Sequence, residues 1–289
     1  MNYTELITSL KETFINQDSF IFDKHVPEFK IADKFLGDCF SQIAVEPLGD
    51  KAPRFYHTFS PFDVISNKSP QYAAVYEDGK RLLDIEFDTY VSMRTAAMNA
   101  VVLKGLGVNS LMDKKVLLFG AGKIACETVK ILASELSLSE VDVISKSGDL
   151  TKISSTVSGV TVKAGNRDDI SQYDIIICHT NSTEPVISME HIDQLKHGAI
   201  LTSFISSAEL GEFPDSIYDE KIATIISDWD KTIVGAKDLQ RAKEMGLFGE
   251  PLYVKDLLTG TAIDSSKRYT VYRSTGTPIQ NLAVLKQLL

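Results

Sequence analysis

Lys115-Val116-Leu117-Leu118-Phe119-Gly120-Ala121-Gly122-Lys123-Ile124-Ala125-Cys126-Glu127-Thr128-Val129-Lys130-Ile131-Leu132 joins an apolar run, a glycine-rich turn and a helical pattern without a break. Val116 to Phe119 is apolar without period-two alternation, as suits a strand buried on both faces. It ends on a glycine, and a helical pattern follows at once through Ile124, Val129, Ile131 and Leu132. Gly120, Gly122 and Ala125 have the spacing GxGxxA. In such a turn the first small residue permits the bend, the second lets backbone N–H groups approach a pyrophosphate, and the third lets helix and strand pack closely. Ala121, Lys123 and Ile124 complete the turn, and the helix N-terminus supplies partial positive charge. The stretch therefore predicts a strand, a tight turn and a helix that bind a dinucleotide; a purely structural βα turn is the alternative.

Outward from this unit the pattern repeats. Val141–Ile144, Val160–Lys163, Ile175–Cys178, Ala199–Phe204 and Thr224–Ser227 are short apolar runs separated by helical or polar segments. Strand–helix alternation of this kind predicts an α/β fold with a parallel sheet, a Rossmann dinucleotide-binding domain. On the N-terminal side, residues 4–14 read as an amphipathic helix opened by Thr4, with Leu6, Ile7, Leu10 and Phe14 on one face. From Phe20 to Gln71 five prolines interrupt short apolar pieces, which predicts short strands and long loops. Gln71–Tyr76 and Arg81–Phe87 flank Glu77-Asp78-Gly79-Lys80 as a hairpin, and Thr89–Leu106 reads as a long helix ended by Gly105 and Gly107. Beyond the alternating region, 239–246, 251–260 and 278–289 read as helical, with a last strand at Tyr269–Arg273. The N-terminal region is thus a second, smaller α+β domain.

The chain has 289 residues, 44% apolar and 24% charged, enough for two ordinary domains with substantial cores. Its formal charge of −9 argues against a nucleic-acid or anionic-membrane partner. Cys39, Cys126 and Cys178 are an odd number without metal-type spacing, which suits a reducing compartment and gives no metal site. The N-terminus has no basic region ahead of an apolar one, and no apolar run approaches a membrane span, so a cytoplasmic protein is expected.

The end of the second strand of a dinucleotide fold faces the adenosine ribose, where an acid marks NAD(H) and basic or hydroxyl residues suit a 2′-phosphate. Here it reads Ile144-Ser145-Lys146-Ser147. A carboxylate is missing, Lys146 can pair a phosphate and both serines can bond it, so NADP(H) is expected in preference to NAD(H).

Met93-Arg94-Thr95-Ala96-Ala97, the glycine turn, Thr180-Asn181-Ser182-Thr183-Glu184-Pro185-Val186 and Val271-Tyr272-Arg273-Ser274-Thr275-Gly276 together resemble the ornithine cyclodeaminase and mu-crystallin family. The resemblance implies a substrate and dimerisation domain of residues 1–94 plus 270–289, a nucleotide domain of 95–269, and a homodimer. The family includes a cyclodeaminase, ketimine reductases and amino-acid dehydrogenases, whose shared chemistry passes hydride between nicotinamide and the α-carbon of a small imino, keto or amino acid. An NADP-dependent oxidoreductase is the function expected; a cyclodeaminase-like lyase that regenerates its nucleotide, and a nucleotide-binding protein without catalysis, are the alternatives. Arg94 suits a substrate carboxylate, to which a guanidinium offers parallel hydrogen bonds. By resemblance, Thr180, Asn181 and Ser182 line the nicotinamide side, and Ser274, Thr275 and Gly276 approach the cofactor.

The chain departs from the family pattern at two proton-transfer groups. Ser41 or Gln42 stands where a lysine before Pro47 is expected, with Lys51 and Lys68 as other candidates. Ile205-Ser206-Ser207-Ala208-Glu209 puts a serine where an aspartate is expected. A serine hydroxyl is no base near neutral pH without help, whereas hydride transfer to an activated imine asks for orientation, a carboxylate clamp and one proton donor. His57 is the candidate donor, with Tyr56 and Lys51 beside it. His179 reads as either a site residue or a core histidine, and Asp228 and Asp230 read as helix caps.

Overall fold

The computed structural model describes every residue except 26–27, 32–33, 39, 61–69, 183 and 205–210, together with side chains outside 24–40 and 234. The chain divides into two compact units, Met1–Arg94 with Thr277–Leu289, and Thr95–Gly276.

The first unit opens with α1 (Tyr3–Ile15), whose N-cap is Asn2 rather than Thr4: the Asn2 side chain accepts from the Thr4 N–H at 2.9 Å. Leu6, Leu10 and Phe14 are fully buried along one face, as their spacing requires. The strands β1 (Ile21–His25), β2 (Glu28–Ile31), β3 (Lys34–Asp38), β4 (Phe40–Leu48), β5 (Lys51–Ser60), β6 (Tyr72–Glu77) and β7 (Lys80–Glu86) follow. Five of them form an antiparallel sheet in the order β1-β4-β5-β6-β7, and β2 pairs with β3 alone. The region expected to hold short strands and long loops therefore contains the long β4–β5 hairpin. Its prolines mislead because Pro47 lies at the register shift between Glu46 and Leu48, where a ladder N–H is not required. The β6–β7 turn has Asp78 and Gly79 both at positive φ, the conformation a two-residue hairpin favours.

Helix α2 (Asp88–Gly105) carries the chain from the first unit into the second. Ala96–Val102 is buried on all sides. The sheet of the second unit consists of β8 (Val116–Phe119), β9 (Glu140–Ile144), β10 (Thr161–Ala164), β11 (Ile175–Cys178), β12 (Ala199–Ser203), β13 (Ala223–Ser227), β14 (Leu252–Tyr253) and β15 (Tyr269–Arg273). It is parallel throughout, in the order β10-β9-β8-β11-β12-β15-β13-β14. The five strands after the glycine turn's own were legible as apolar runs, and β8 and β11 are buried on both faces. Between them run α3 (Lys123–Leu136), α4 (Thr151–Ser154), α5 (Met189–Asp193), α6 (Thr232–Gly235), α7 (Lys237–Glu244) and α8 (Val254–Leu258). Strand β15 is inserted between β12 and β13, so residues 270–273 lie in this unit's sheet, and 274–276 belong to the same unit and not to the N-terminal segment.

The chain then returns to the first unit as α9 (Pro278–Leu288), with Pro278 in the first turn and the Thr277 hydroxyl accepting from the Gln280 N–H. Helix α9 packs on α1, where the Ser9 hydroxyl donates to the Ala283 carbonyl at 2.8 Å, and on the sheet face that carries Gln42, Tyr56 and Thr58. Among the described residues, no helix is long and apolar enough to cross a membrane.

Candidate functional site

A cleft of about 1180 Å³ opens in the second unit at the C-terminal ends of β8, β9 and β11. Strand order reverses between β8 and β11, and such switch points are where open α/β sheets bind ligands. The glycine turn forms its floor. Gly120 has φ +105°, and a Cβ there would lie 2.2 Å from the His179 carbonyl oxygen, so no other residue fits. At Gly122 a Cβ would meet nothing within 4 Å: the room it leaves belongs to the cleft and not to neighbouring protein. Gly122 is also the N-cap of α3 and has no side chain to cap this 14-residue helix, whose N-terminus suits an anion. Ala125 is fully buried, as close helix–strand packing demands. These features fit a pyrophosphate.

Of the residues expected to touch the nucleotide, the cleft brings together Gly120, Ala121, Gly122, Ile124, Ser145, Lys146, Ser147, Thr180, Asn181 and Ser182. Lys123 and Ala125 are not among its lining residues, nor are Ser274 and Gly276. Beside Lys146, the Ser145 and Ser147 hydroxyls lie 3.4 Å apart. The carboxylate of Asp149, the nearest acid in sequence, is occupied by the Thr151 N–H and hydroxyl, whose hydrogen bonds hold it below the usual range.

Glu212, which the sequence did not single out, fixes the loop after β11. Fully buried, it accepts from the Thr180 N–H and hydroxyl, both at 2.7 Å, from the Ser203 hydroxyl at 2.8 Å and from the Phe204 N–H at 3.3 Å. Burial pushes its carboxyl above the usual value although Thr180, Ser203 and Arg273 pull the other way. Asp228 also differs from its expected role as a cap. It is buried and accepts from the Tyr272 hydroxyl and from the Ser274 hydroxyl at 2.7 Å, while the Ser274 oxygen accepts from the Gly276 N–H. The turn after β15 is thereby held to the end of β13. Next to it Arg273 makes a bidentate pair with Asp238, Nε at 2.8 Å and Nη2 at 3.0 Å, both residues fully buried. Burial pushes the Asp238 carboxyl up, and the guanidinium more than reverses this.

His179 is neither a free base nor an inert core residue. It lines the cleft, its ring lies against Phe204 with centroids 4.8 Å apart, and Nε2 bonds to the Thr128 hydroxyl at 2.9 Å and the Asn99 amide nitrogen at 3.1 Å. The Asn99 orientation is set by its other contacts: Oδ1 accepts from the Thr202 hydroxyl at 2.8 Å and Nδ2 also donates to the Ala96 carbonyl. Nε2 is therefore the acceptor and the proton sits on Nδ1, which is buried without a partner among the described residues. Burial lowers the pKa of the ring to about 3.

In the first unit, Arg94 is buried and its guanidinium donates from Nε to Asn281 Oδ1 at 3.1 Å and from Nη1 to Gln280 Oε1 at 2.5 Å. Asn281 in turn donates to Gln42 Oε1 at 2.7 Å and to the Thr58 hydroxyl at 2.9 Å. Gln42 is thus the amide end of a buried network. Ser41 points to the other sheet face, where its hydroxyl lies 2.9 Å from His57 Nε2; burial holds His57 below its ordinary pKa of 6.5. Tyr56 donates to Glu46 at 2.6 Å, and Lys51 is exposed at the hairpin end. Cys39, Lys68, Thr183 and the segment 205–209 lie outside the described residues.

The model of the ornithine cyclodeaminase/mu-crystallin family matches residues 76–289. The chain belongs to this family. The match begins at 76, so the stretch where the family's lysine was expected falls outside it. No curated protein sequence matches the chain. Among solved structures, the fold is similar to that of a probable ornithine cyclodeaminase from Bordetella pertussis Tohama I, 19% identical, TM-score 0.79, covering 99% of this chain and 91% of the other. It is similar to the iminosuccinate reductase of Paracoccus denitrificans in complex with NAD+, 17% identical, TM-score 0.79, covering 99% and 90%. The Thermococcus litoralis Δ1-pyrroline-2-carboxylate reductase, solved with NADH and L-proline, is 15% identical with TM-score 0.77 over 99% and 92%. At these identities the likeness is one of fold.

Proposed function

We propose that this family member is an NADP(H)-dependent oxidoreductase acting on a small α-imino, α-keto or amino acid. The observation that carries the reading is the cleft at the strand switch point, in which an uncapped helix N-terminus and the glycine turn meet Ser145, Lys146 and Ser147. The backbone N–H groups at Gly122 and the start of α3 take the pyrophosphate, and Lys146 with its flanking serines takes the 2′-phosphate. Thr180, Asn181 and Ser182, tied down through Glu212, face the nicotinamide, and the Asp228-anchored turn at Ser274 and Gly276 supports that side. The bound nicotinamide supplies or accepts the hydride at the substrate's α-carbon.

In the first unit Arg94 is assigned to the substrate carboxylate. Gln280 and Asn281 hold its guanidinium in one orientation, which spares the ordering cost a free arginine pays on binding. Gln42 and Thr58, which Asn281 ties to Arg94, lie on one face of the sheet, and His57 lies with Ser41 on the other, so the expected proton donor His57 is not brought beside Arg94.

A homodimer fits the first unit as well. Ile21, Val45, Phe55 and Tyr76 face one another across β1, β4, β5 and β6, and Ile21, Phe55 and Tyr76 are 65%, 43% and 38% exposed. This apolar row lies on the face opposite Tyr56 and Thr58 and suits a second copy of the sheet. A cytoplasmic setting agrees with buried free thiols at Cys126 and Cys178.

The reading is tested by following reduced-nicotinamide absorbance while NADPH is mixed with protein and a panel of α-keto acids plus amines and cyclic imino acids. NADPH consumption with one substrate class is expected. Binding of NADPH with no consumption across the panel would overturn it, and ammonia release from ornithine would then identify a lyase.

A further inference from the structure

Resting on the dinucleotide reading of the cleft, we infer that Arg167, on an element separate from the Ser145-Lys146-Ser147 loop, is a specificity-determining residue for the adenosine 2′-phosphate. Arg167 opens the short 3-10 turn Arg167–Gln172 after β10 and lines the same cleft as Lys146. Arg167 is exposed, and its guanidinium lies over the ring of Phe119, the last residue of β8 before the glycine turn, at 5.8 Å from the centroid.

The second observation is the state of the charges. Neither Arg167 nor Lys146 forms an ion pair or a side-chain hydrogen bond with any described residue. The acids next to Arg167 are directed elsewhere: Asp169 accepts from the Asn166 amide at 3.1 Å, and Asp168 lies 3.9 Å from His191. Asp149 is spent on Thr151. Among the cleft's described lining residues the one carboxylate is Glu184, on the loop after β11 that the dinucleotide reading gives to the nicotinamide side. In a chain of net charge −9, two cations from different elements that line one cleft with a pair of serine hydroxyls, with no counterion among the described residues, form an arrangement completed by a dianionic group. Arg167 and Lys146 hold that group from two sides. The Arg167 fork adds directional bonds to the point charge of Lys146, and the Ser147 hydroxyl, which accepts from the Asp149 N–H, adds a donor.

The test is isothermal titration calorimetry of wild type, Arg167→Ala and Arg167→Lys with NADPH, NADH, 2′,5′-ADP and 5′-ADP. Loss of a charge-assisted hydrogen bond predicts that Arg167→Ala weakens NADPH and 2′,5′-ADP by about 10- to 100-fold. NADH and 5′-ADP should change less than about threefold, and Arg167→Lys should lie between, because it keeps charge and loses the fork. The salt dependence of NADPH binding should be shallower in Arg167→Ala than in wild type. If NADPH and NADH both bind and the alanine variant leaves their ratio unchanged, or weakens both alike, Arg167 has no part in 2′-phosphate selection. If neither dinucleotide binds wild type, the cofactor reading itself fails, an outcome distinct from the first.

Discussion

Acidification should destabilise the second unit through His179, by an amount that follows from its burial. The imidazole titrates near its ordinary value of 6.5 in the unfolded chain and at about 3 in the folded one, because burial disfavours the cation and Nε2 already faces the Asn99 N–H. On lowering the pH the unfolded chain takes up this proton first. The contribution of the neutral ring is therefore fully present above 6.5 and is progressively lost down to about 3. At pH 5 the unfolded histidine is almost fully protonated and the folded one is not, which costs roughly 2 kcal/mol relative to pH 8. His179→Gln keeps a hydrogen-bond acceptor for Asn99 and removes the titration. The chain's single tryptophan, Trp229, is buried in the same unit, so urea unfolding followed by its fluorescence reads the relevant transition. Glu212, raised by burial, shifts in the opposite sense but is common to both proteins and cancels in the comparison. The stability gap between wild type and His179→Gln should move by about 2 kcal/mol in favour of the variant between pH 8 and pH 5. A gap independent of pH would show that His179 does not titrate differently in the folded and unfolded chain.

Gly120→Ala should cost about 3 kcal/mol or more in urea unfolding and abolish NADPH binding, since its Cβ would meet the His179 carbonyl oxygen at 2.2 Å in a backbone conformation alanine resists. Asp238→Asn strands the buried Arg273 cation and should lower stability by about 3 to 5 kcal/mol, whereas the double replacement Asp238→Leu with Arg273→Met should recover much of the loss in the same assay. Arg94→Ala should reduce kcat/KM at least about 100-fold while NADPH affinity measured by calorimetry stays within about twofold; unchanged kinetics would remove Arg94 from the site. Lys146→Ala should narrow the preference for NADPH over NADH, and an unaltered ratio of dissociation constants would count against its place beside the 2′-phosphate.

What could be read from the sequence was local. Val116–Phe119 and Ile175–Cys178 are apolar without alternation because both faces are covered, and the GxGxxA spacing needs only neighbouring residues to be recognised. The Asp78-Gly79 turn is legible for the same reason. The β4–β5 hairpin was hidden by prolines that sit at its irregular end, where they do no harm. Asp228 resembled a helix cap because nothing near it in the chain reveals that Tyr272 and Ser274 point at its carboxylate. The same non-locality hides Glu212, which gathers donors from two strand ends, and the Asp238–Arg273 pair. Arg167 carries no local signal in the sequence; the strand order β10-β9-β8 brings its loop to the cleft that Lys146 also lines. The insertion of β15 between β12 and β13 is likewise a property of the sheet and not of its sequence.

The most direct test of hydride chemistry is to supply NADPH deuterated at the transferable C4 position with an accepted imino- or keto-acid substrate and to weigh the product by mass spectrometry. A product carrying a single deuterium at its α-carbon is expected, with one equivalent of NADP+ formed for each product molecule. Product without deuterium, or turnover that leaves the NADPH pool unchanged, would contradict it.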